Sequence, residues 1–199
     1  MSLDRLETLV RALPKAQARI LIALAGPPAA GKSILAAALV DRLGPGAVCV
    51  PMDGFHLDNH VLAARGLLHR KGAPQTFDTG GLVHAMHRLV HEAEMSLPDF
   101  DRTLDCSIAG RIAVTAGHRI VVVEGNYLAC AEPPWAALAS LWSLVVFVDS
   151  PDAVLRARLL ARWRAQGLDA DAAQRRTDAN DMANVAFVRR SRMPGILTL

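Results

Sequence analysis

Apolar residues near the start of the chain recur at the spacing of one helix face, and the recurrence stops at Pro14, which cannot continue a helix. This pattern predicts a short amphipathic helix ahead of the core. The positions that carry the pattern are Leu3, Leu6, Leu9, Val10 and Leu13.

Four later segments are almost continuously apolar, which is typical of strands buried on both faces of a parallel sheet. The segment ILAAALVDRL (34–43) has helical character and separates the first two. The alternation of strands and helices predicts an α/β fold, with a mostly parallel central sheet between two helical layers, and residues 1–199 are interpreted as a single domain. The final residues, GILTL, are a candidate edge strand. The four apolar segments are RILIALAG (19–26), AVCVPMD (47–53), HRIVVVEG (118–125) and LWSLVVFVDS (141–150).

Composition and charge narrow the class of partner. The 22 basic residues nearly balance the 19 acidic ones and form no basic tail, so we expect no nucleic-acid partner. The first residues include acids and no long apolar core, which predicts neither a signal peptide nor membrane insertion. Three cysteines without metal-type spacing suit a reducing compartment, so we expect a cytoplasmic protein. The sequence does not determine the oligomeric state, and a homodimer is one of the options.

The segment GPPAAGKS (26–33) fits the phosphate-loop pattern G-x-x-x-x-G-K-[ST]. It follows a predicted buried strand and precedes a predicted helix, so its backbone amides and the helix N-terminus would face a phosphate. Lys32 adds a full positive charge, and the Ser33 hydroxyl is a candidate ligand for Mg²⁺. We therefore expect a P-loop NTPase fold of three layers, α/β/α, that binds ATP and Mg²⁺. The candidate nucleotide-binding residues are Gly26, Pro27, Pro28, Ala29, Ala30, Gly31, Lys32, Ser33 and Ile34.

Asp53 and Glu124 each end an apolar segment, and each is followed by glycine. In a parallel sheet both strands end at the edge where the phosphate loop lies, so both carboxylates would point toward the terminal phosphate of the nucleotide. Glu124 stands where a Walker B acid is expected and would hold Mg²⁺ or its water. Asp53 is then the candidate base for an attacking hydroxyl. The alternative for both acids is a helix cap or an ion pair with arginine.

These residues resemble the phosphoribulokinase and uridine kinase family of P-loop kinases, which includes the bacterial pantothenate kinases. Besides the phosphate loop, the resemblance rests on DGF (53–55), RKGAPQTFD (70–78) and VVVEGNYL (121–128), and it covers residues 19–164. It implies that Asp53 is the catalytic base that activates the acceptor hydroxyl. Uridine kinases tend to carry tyrosine where His56 stands. The chain is also similar to bacterial proteins labelled as kinases of fructose transport systems, which implies a sugar acceptor.

The segment SPDAVLRARLLARWRAQG (150–167) predicts a helix with Ser150 as its N-cap and Pro151 at its first position. Arg158 and Arg162 lie four residues apart, on one face of this helix, with Arg156 beside them. In related kinases this region forms a lid, here about residues 156–180, whose guanidinium groups neutralise the migrating phosphoryl group. Arg156 and Arg162 are the preferred lid residues, with Lys32 as the third catalytic cation. The alternative is a solvated helix face.

The region that binds the acceptor is expected within residues 54–113. His56 and His60, with Asp58 between them, offer a rival interpretation as a metal site, although no third ligand follows at a convincing spacing. Two later asparagines, Asn180 and Asn184, suit either the edge of a nucleotide base or helix capping. The candidate acceptor-binding residues are His56, Arg70, Lys71, Asp101, Arg102 and Asn126.

Together these features predict an ATP-dependent, Mg²⁺-dependent kinase that transfers the γ-phosphoryl group to a hydroxyl of a small metabolite. The acceptor classes that stay open are a sugar such as fructose, a pantothenate-like compound and a nucleoside. The alternative hypothesis is a P-loop ATPase module that regulates or energises a partner such as a transporter. The polar segment that follows Asp53 favours the kinase.

Overall fold

The computed structural model describes residues 2–14 and 19–199, and its strands and helices alternate as predicted. Five strands form one parallel sheet in the order β2-β5-β1-β6-β7, and β3 and β4 form a separate antiparallel hairpin. The strands are β1 (Ile20–Ala25), β2 (Ala47–Pro51), β3 (Met95–Asp101), β4 (Cys106–Val114), β5 (Ile120–Gly125), β6 (Leu144–Phe147) and β7 (Leu197–Thr198).

Helices cover both faces of the sheet, and several short 3-10 turns connect the elements. A π-helical turn over Thr177–Asp181 joins the sixth and seventh helices into one continuous helical segment. The helices are α1 (Leu3–Ala12), α2 (Lys32–Leu43), α3 (Asn59–Ala64), α4 (Thr79–His91), α5 (Asp152–Ala165), α6 (Ala170–Arg176) and α7 (Met182–Arg190).

Side chains of the central strand β1 alternate between two apolar cores, one on each face of the sheet. Leu21 and Ala23 point to the core that includes Met86 of α4, whereas Ile22 and Leu24 point to the core that includes residues of α1 and α2. Every residue of β1 is buried, which explains its uninterrupted apolar sequence. The three-layer α/β/α fold is therefore confirmed.

The order of the strands fixes where a ligand can bind. The strand β1 lies in the middle, with β5 and β2 on one side and β6 and β7 on the other, so the sheet reverses its winding direction at β1. Crevices outside the carboxyl ends of parallel strands at such a point are the usual ligand sites of open α/β sheets. The pairing of Leu24 and Pro51 with Glu124 places the ends of β1, β2 and β5 at one level.

The amino end of β1 is fixed by the buried guanidinium of Arg19. Its nitrogens donate hydrogen bonds to the backbone oxygens of five residues in two separate segments of the chain, 89–93 and 115–118. The strand therefore carries the phosphate loop at one end and a dense set of hydrogen bonds at the other. The residues whose oxygens accept are Leu89, Glu92, Ala93, Thr115 and His118.

Two expectations about single elements are confirmed, and a third, about a helix cap, is wrong. The first helix and the edge strand β7 form where they were predicted. The N-cap of α5 is Pro151, whose ψ of 148° is extended, and the helix begins at Asp152, so the assignment of Ser150 as the cap was one residue too early. No helix within the described residues is both long and apolar enough to cross a membrane.

Candidate active site

The phosphate loop connects β1 to α2, and its glycines occupy positions that a side chain could not. A Cβ atom on Gly26 would lie 2.0 Å from the backbone oxygen of Val148, and Gly26 has a φ of +146°. Gly31, the residue before α2, has a φ of +99°. Ala29 also has a positive φ, 63°, so the loop closes tightly around the N-terminus of α2. This backbone places the N-terminus of α2 and the amides of the loop at its end around one site for an anion, apart from the Ala30 amide, which donates to the backbone oxygen of Pro27.

Lys32 is buried at the base of this loop. Its ammonium donates hydrogen bonds of 2.8 Å to the backbone oxygen of Pro27 and 2.8 Å to Oδ1 of Asn126. Burial lowers the pKa of Lys32 to about 8, against the opposing attraction of the Glu124 carboxylate. The cation is thus held in place by neutral oxygens, and a phosphate can take over these contacts.

Ser33 and Glu124 face each other across the end of the sheet, where the Ser33 hydroxyl donates a 2.9 Å hydrogen bond to Oε1 of Glu124. Burial raises the pKa of Glu124, while the Lys32 ammonium acts in the opposite direction. A hydroxyl and a carboxylate beside a phosphate site are the hard oxygen ligands that Mg²⁺ prefers. The residues present therefore fit the predicted Mg²⁺ site.

Asp53 lies in a 3-10 turn, Met52–Phe55, immediately after β2. Its Oδ2 forms a 2.9 Å ion pair with the Arg102 guanidinium, from the loop between β3 and β4. The turn packs closely on β3, because a Cβ atom on Gly54 would lie 2.3 Å from the backbone oxygen of Pro98. The hairpin and the end of β2 thus hold Asp53 from both sides.

Asp53, Arg102 and the phosphate loop line one cleft of about 1280 Å³. Beyond Asp53 the wall is aromatic, with the His56 ring centroid 4.0 Å from that of Phe77 and 4.7 Å from that of Phe100. Burial lowers the pKa of His56, and its Nδ1 lies 2.8 Å from the backbone oxygen of Asp53. Since a carbonyl oxygen can only accept, the proton of the neutral imidazole is on Nδ1.

Lys71 extends this wall and is also buried. Its ammonium donates to Oδ1 of Asn59 at 2.6 Å, lies 2.9 Å from Oδ1 of Asp105, and sits 4.9 Å above the Phe100 ring. Asn59 in turn donates to Oδ2 of Asp105 at 2.7 Å. The Lys71 ammonium also donates to the backbone oxygen of Asp105 at 2.7 Å, so Lys71, Asn59 and Asp105 form one connected polar group in which the charges are paired.

The opposite wall of the cleft comes from α5 and corrects the choice of lid arginines. Arg158 donates a 3.0 Å hydrogen bond to the backbone oxygen of Ala29, and Arg158 and Arg162 both line the cleft. Arg156 instead pairs with Asp178 outside it. Residues two apart on a helix point about 200° apart, whereas residues four apart share a face. Arg158 therefore takes the place predicted for Arg156.

Two of the residues predicted to bind the acceptor, Asp101 and Arg70, do not line the cleft. Asp101 accepts hydrogen bonds from the amides of Thr103 and Leu104 and pairs with Arg111, so it shapes the hairpin turn. Arg70 donates to the backbone oxygen of Ala179 at 2.9 Å. The side chain of Arg70 lines a second cavity of about 950 Å³, which adjoins the cleft at Phe77 and Asn184.

The suggested metal site around His56 does not form. His56 precedes the helix α3 rather than lying on it, and His60 is exposed on its first turn. The carboxylate of Asp58 caps the same helix by accepting from the His60 amide. Among the residues that the structure describes, no three His, Cys, Asp or Glu side chains could hold a metal ion together.

Other cleft residues were missed because their signal is not local in the sequence. They lie on the hairpin, on α5 and in the segment after α5, and one of them, Phe77, belongs to the quoted segment RKGAPQTFD but was not singled out within it. The amphipathic pattern of α6 and α7 could have indicated a buried polar face, since Asn180, Asp181 and Asn184 recur near helical spacing. The missed residues that line the cleft include Phe77, Phe100, Asp105, Trp163, Arg176 and Asp181, whereas Asn184 was already a candidate from the sequence.

The chain is similar in sequence to several known proteins. A family model described as an AAA domain matches residues 21–183. A candidate uridine kinase from Schizosaccharomyces pombe is 36% identical over 207 residues, covering 96% of this chain and 86% of that protein. A pantothenate kinase from Sorangium cellulosum is 31% identical over 158 residues, and the match covers 75% of this chain and 51% of that kinase.

Solved structures show the same fold. A crystal structure of a candidate fructose transport system kinase from Silicibacter sp. TM1040 superposes with a TM-score of 0.93 at 43% identity, covering 100% of this chain and 99% of that one. Phosphoribulokinase from Rhodobacter spheroides shares the fold with a TM-score of 0.61 at 14% identity, over 87% of this chain and 68% of that one.

Proposed function

Because this chain belongs to the phosphoribulokinase and uridine kinase family of P-loop kinases, we propose that it transfers the γ-phosphoryl group of ATP to a hydroxyl of a small metabolite. The main support is that Asp53 shares one cleft with the phosphate loop, Lys32 and Glu124. A carboxylate at this position, in addition to Glu124, suits a group that accepts the proton of the attacking hydroxyl.

Each group of the cleft has a role in this reaction. The loop amides and Lys32 hold the phosphates of ATP, and Arg162 faces the charge that develops during transfer. Ser33 and Glu124 would hold Mg²⁺, which when bound neutralises phosphate charge and orients the terminal phosphate. Arg158 ties α5 to the loop through the backbone oxygen of Ala29.

Asp53 accepts the proton of the attacking hydroxyl. Arg102 contacts Oδ2 of Asp53 at 2.9 Å, and no described residue forms a hydrogen bond with Oδ1. One oxygen of the carboxylate is thus fixed while the other can face the acceptor. An ordered base of this kind typically contributes about 10²- to 10⁴-fold to the rate.

The acceptor binds against the wall formed by His56, Phe100 and Lys71. The three acceptor classes retained are a sugar such as fructose, a pantothenate-like compound and a nucleoside, since relatives carry names from each class. The polar side chains of Asn59, Lys71 and Asp105, which line the cleft beside the aromatic rings, support an acceptor with both polar and apolar parts. We also place the protein in the cytoplasm, where ATP is available and its three free cysteines would stay reduced.

The test is the release of ADP and the formation of phosphorylated product across a panel of acceptors: fructose and other sugars, pantothenate, uridine and ribulose 5-phosphate. We expect Asp53→Asn to lower the rate of product formation by about 10²-fold or more while ATP still binds. The exposed residue Asp41 on α2 lies away from the cleft, so Asp41→Asn is the matched control.

If ADP forms at one rate with every acceptor, and both variants behave as the wild type, the kinase reaction is wrong. A P-loop ATPase that energises or regulates a partner such as a transporter would then be the better account. Neither the cleft nor the relatives favour that alternative.

A further inference from the structure

Buried polar atoms without a hydrogen-bond partner are concentrated in one region. Among the described residues there are four such side-chain atoms, and all lie between the C-terminal turn of α5 and the π-helical turn. Buried polar groups are paired in the great majority of cases, so an unpaired cluster indicates a missing partner. The four atoms are Nε of Arg162, Nε of Arg176, Oγ1 of Thr177 and Oδ1 of Asn180.

The π-helical turn decides which side chains of this segment face the cleft. In a regular α-helix, Arg176 and Asn184 would point about 80° apart, since each residue turns the chain by about 100°. A π turn takes up one extra residue, which brings the two to within about 20°. Both side chains line the cleft as a result, together with Asp181.

Asn184 is only 3% exposed, and its side chain forms no hydrogen bond with the residues that the structure describes. Its amide therefore has both a donor and an acceptor without a partner, at a position that lines the cleft and also the second cavity. Arg176 lines the same cleft, and its guanidinium carbon lies 4.3 Å from the centre of the Trp163 ring. Stacking on an aromatic ring fixes the plane of a guanidinium and leaves its edge free for an anion.

The positive charges of the cleft exceed what its own acids balance. Asp53 pairs with Arg102, and Asp105 pairs with Lys71. Within the described ranges, three cleft arginines form no ion pair with a carboxylate: Arg158, Arg162 and Arg176.

Asp181 offsets part of this charge, because it lies near Arg162 and Arg176 and accepts a 2.5 Å hydrogen bond from Nε1 of Trp163. One carboxylate beside two arginines still leaves a net positive charge at this end of the cleft.

The three unpaired arginines lie at different distances from the nucleotide site. Arg158 contacts the phosphate loop itself, and Arg162, one helical turn further, interacts electrostatically with both Lys32 and Asp53. Arg176 is the last residue of α6, and its guanidinium lies over the ring of Trp163. Arg158 and Arg162 therefore contact or influence the phosphate loop, Lys32 and Asp53 directly, and Arg176 is the cleft arginine available for the acceptor.

We propose that the acceptor carries an anionic group, a carboxylate or a phosphate, that is bound by Arg176 and the amide of Asn184 on the face created by the π-helical turn. This inference rests on the proposed kinase function and narrows it. A purely neutral sugar or nucleoside leaves both groups unpaired in the closed cleft, whereas an anion pairs with both.

The test uses acceptors in matched pairs that differ by the anionic group: glycerol and glycerate, pantothenol and pantothenate, fructose and fructose 6-phosphate. Steady-state rates give KM for each, and calorimetric titration in the presence of ADP gives Kd. We expect one charged member to bind about 10-fold or more tightly than its neutral partner, and the carboxylate and phosphate pairs show which anion is preferred.

Arg176→Met keeps an unbranched apolar side chain in place of the aliphatic part of arginine and removes the charged guanidinium. We expect it to raise KM for the charged member by about 10- to 100-fold and to leave KM for the neutral member unchanged. Asn184→Asp, which adds a like charge, should act in the same direction. The neighbouring exposed residue Arg175 does not line the cleft, so Arg175→Met should keep the wild-type preference.

The outcomes separate this inference from the kinase function. If charged and neutral members are used equally well, or if Arg176→Met and Arg175→Met behave alike, the anion site is wrong although phosphoryl transfer stands. If a charged member binds in an Arg176-dependent manner but no acceptor is phosphorylated, the anion site stands and the kinase function is wrong. If no member of any pair binds, the anion site is wrong.

Discussion

Protonation of the His56 imidazole should make the free energy of unfolding depend on pH. Burial lowers its pKa from the ordinary value of 6.5, with Lys71 and Arg102 acting in the same direction and Asp53 opposing. Below pH 6.5 the unfolded chain therefore takes up a proton that the folded protein resists. The free energy of unfolding should fall as the pH drops from 6.5 toward the lowered pKa, by at most about 1.4 kcal/mol per pH unit from this residue.

Urea unfolding at pH 7.5, 6.5 and 5.5 checks this expectation. His56→Gln should unfold more easily at neutral pH, because it loses the ring contacts with Phe77 and Phe100, but its stability should depend less on pH. The exposed residue His60 provides the control His60→Gln. If the free energy of unfolding depended on pH in the same way in the wild type, His56→Gln and His60→Gln, the pH dependence could not be assigned to His56.

The sequence predicts single residues well where one motif determines both position and chemistry. Lys32, Ser33 and Glu124 meet as expected because the phosphate loop and a strand end are fixed by the sheet. Arg156 and Arg158 could not be separated, since their relative orientation depends on the packing of α5 against the loop. Their roles as functional residues stay predictions until the variants are measured.

The turn Met52–Phe55 can pack closely against the hairpin β3–β4 because Gly54 has no side chain. Gly54→Ala would push a Cβ atom against the backbone of Pro98, which cannot move as a flexible side chain would. We expect a loss of about 1–3 kcal/mol in the free energy of unfolding, with a lower rate of phosphoryl transfer because Asp53 is displaced.

Guanidinium chloride unfolding measures this loss. Gly46→Ala is the comparison, since its Cβ atom would meet only the backbone oxygen of Gly117 at an ordinary 3.9 Å. Equal unfolding midpoints for the two variants would show that the turn and the hairpin are not in close contact.

The elements of the main sheet are predictable because burial on two faces requires unbroken apolar runs. The hairpin β3–β4 escaped prediction for the opposite reason. It belongs to a two-stranded sheet with many half-exposed residues, it contains Pro98, and its register shifts between Leu97 and Asp99. The π-helical turn left no sequence signal that we recognised, because an extra helical residue looks like any other.

Arg19 joins parts of the molecule that are distant in sequence. Its replacement by methionine would leave five backbone oxygens without their donor at the end of the sheet opposite the cleft. We expect Arg19→Met to lower the free energy of unfolding by about 3 kcal/mol or more. Arg19→Lys should restore only part of the loss, because an ammonium has three donors and no planar fork.

Denaturant unfolding with Arg5→Met, an exposed arginine of α1, as the control measures this effect. Binding of ATP should remain in Arg19→Met wherever the variant is folded, since Arg19 lies at the other end of β1. If Arg19→Met and Arg5→Met were equally stable, the hydrogen bonds at this end of the sheet would contribute little to the fold.

The burial of Lys32 affects how nucleotide binding responds to ionic strength. Dissolved salt screens exposed charges over about 8 Å at physiological concentration, but it screens a charge enclosed by protein much less. Lys32 is enclosed by the phosphate loop and Asn126, whereas Arg158 at the mouth of the cleft is exposed. Added salt should therefore slow the capture of a nucleotide at the mouth of the cleft, yet have little effect on how firmly the innermost phosphate is held.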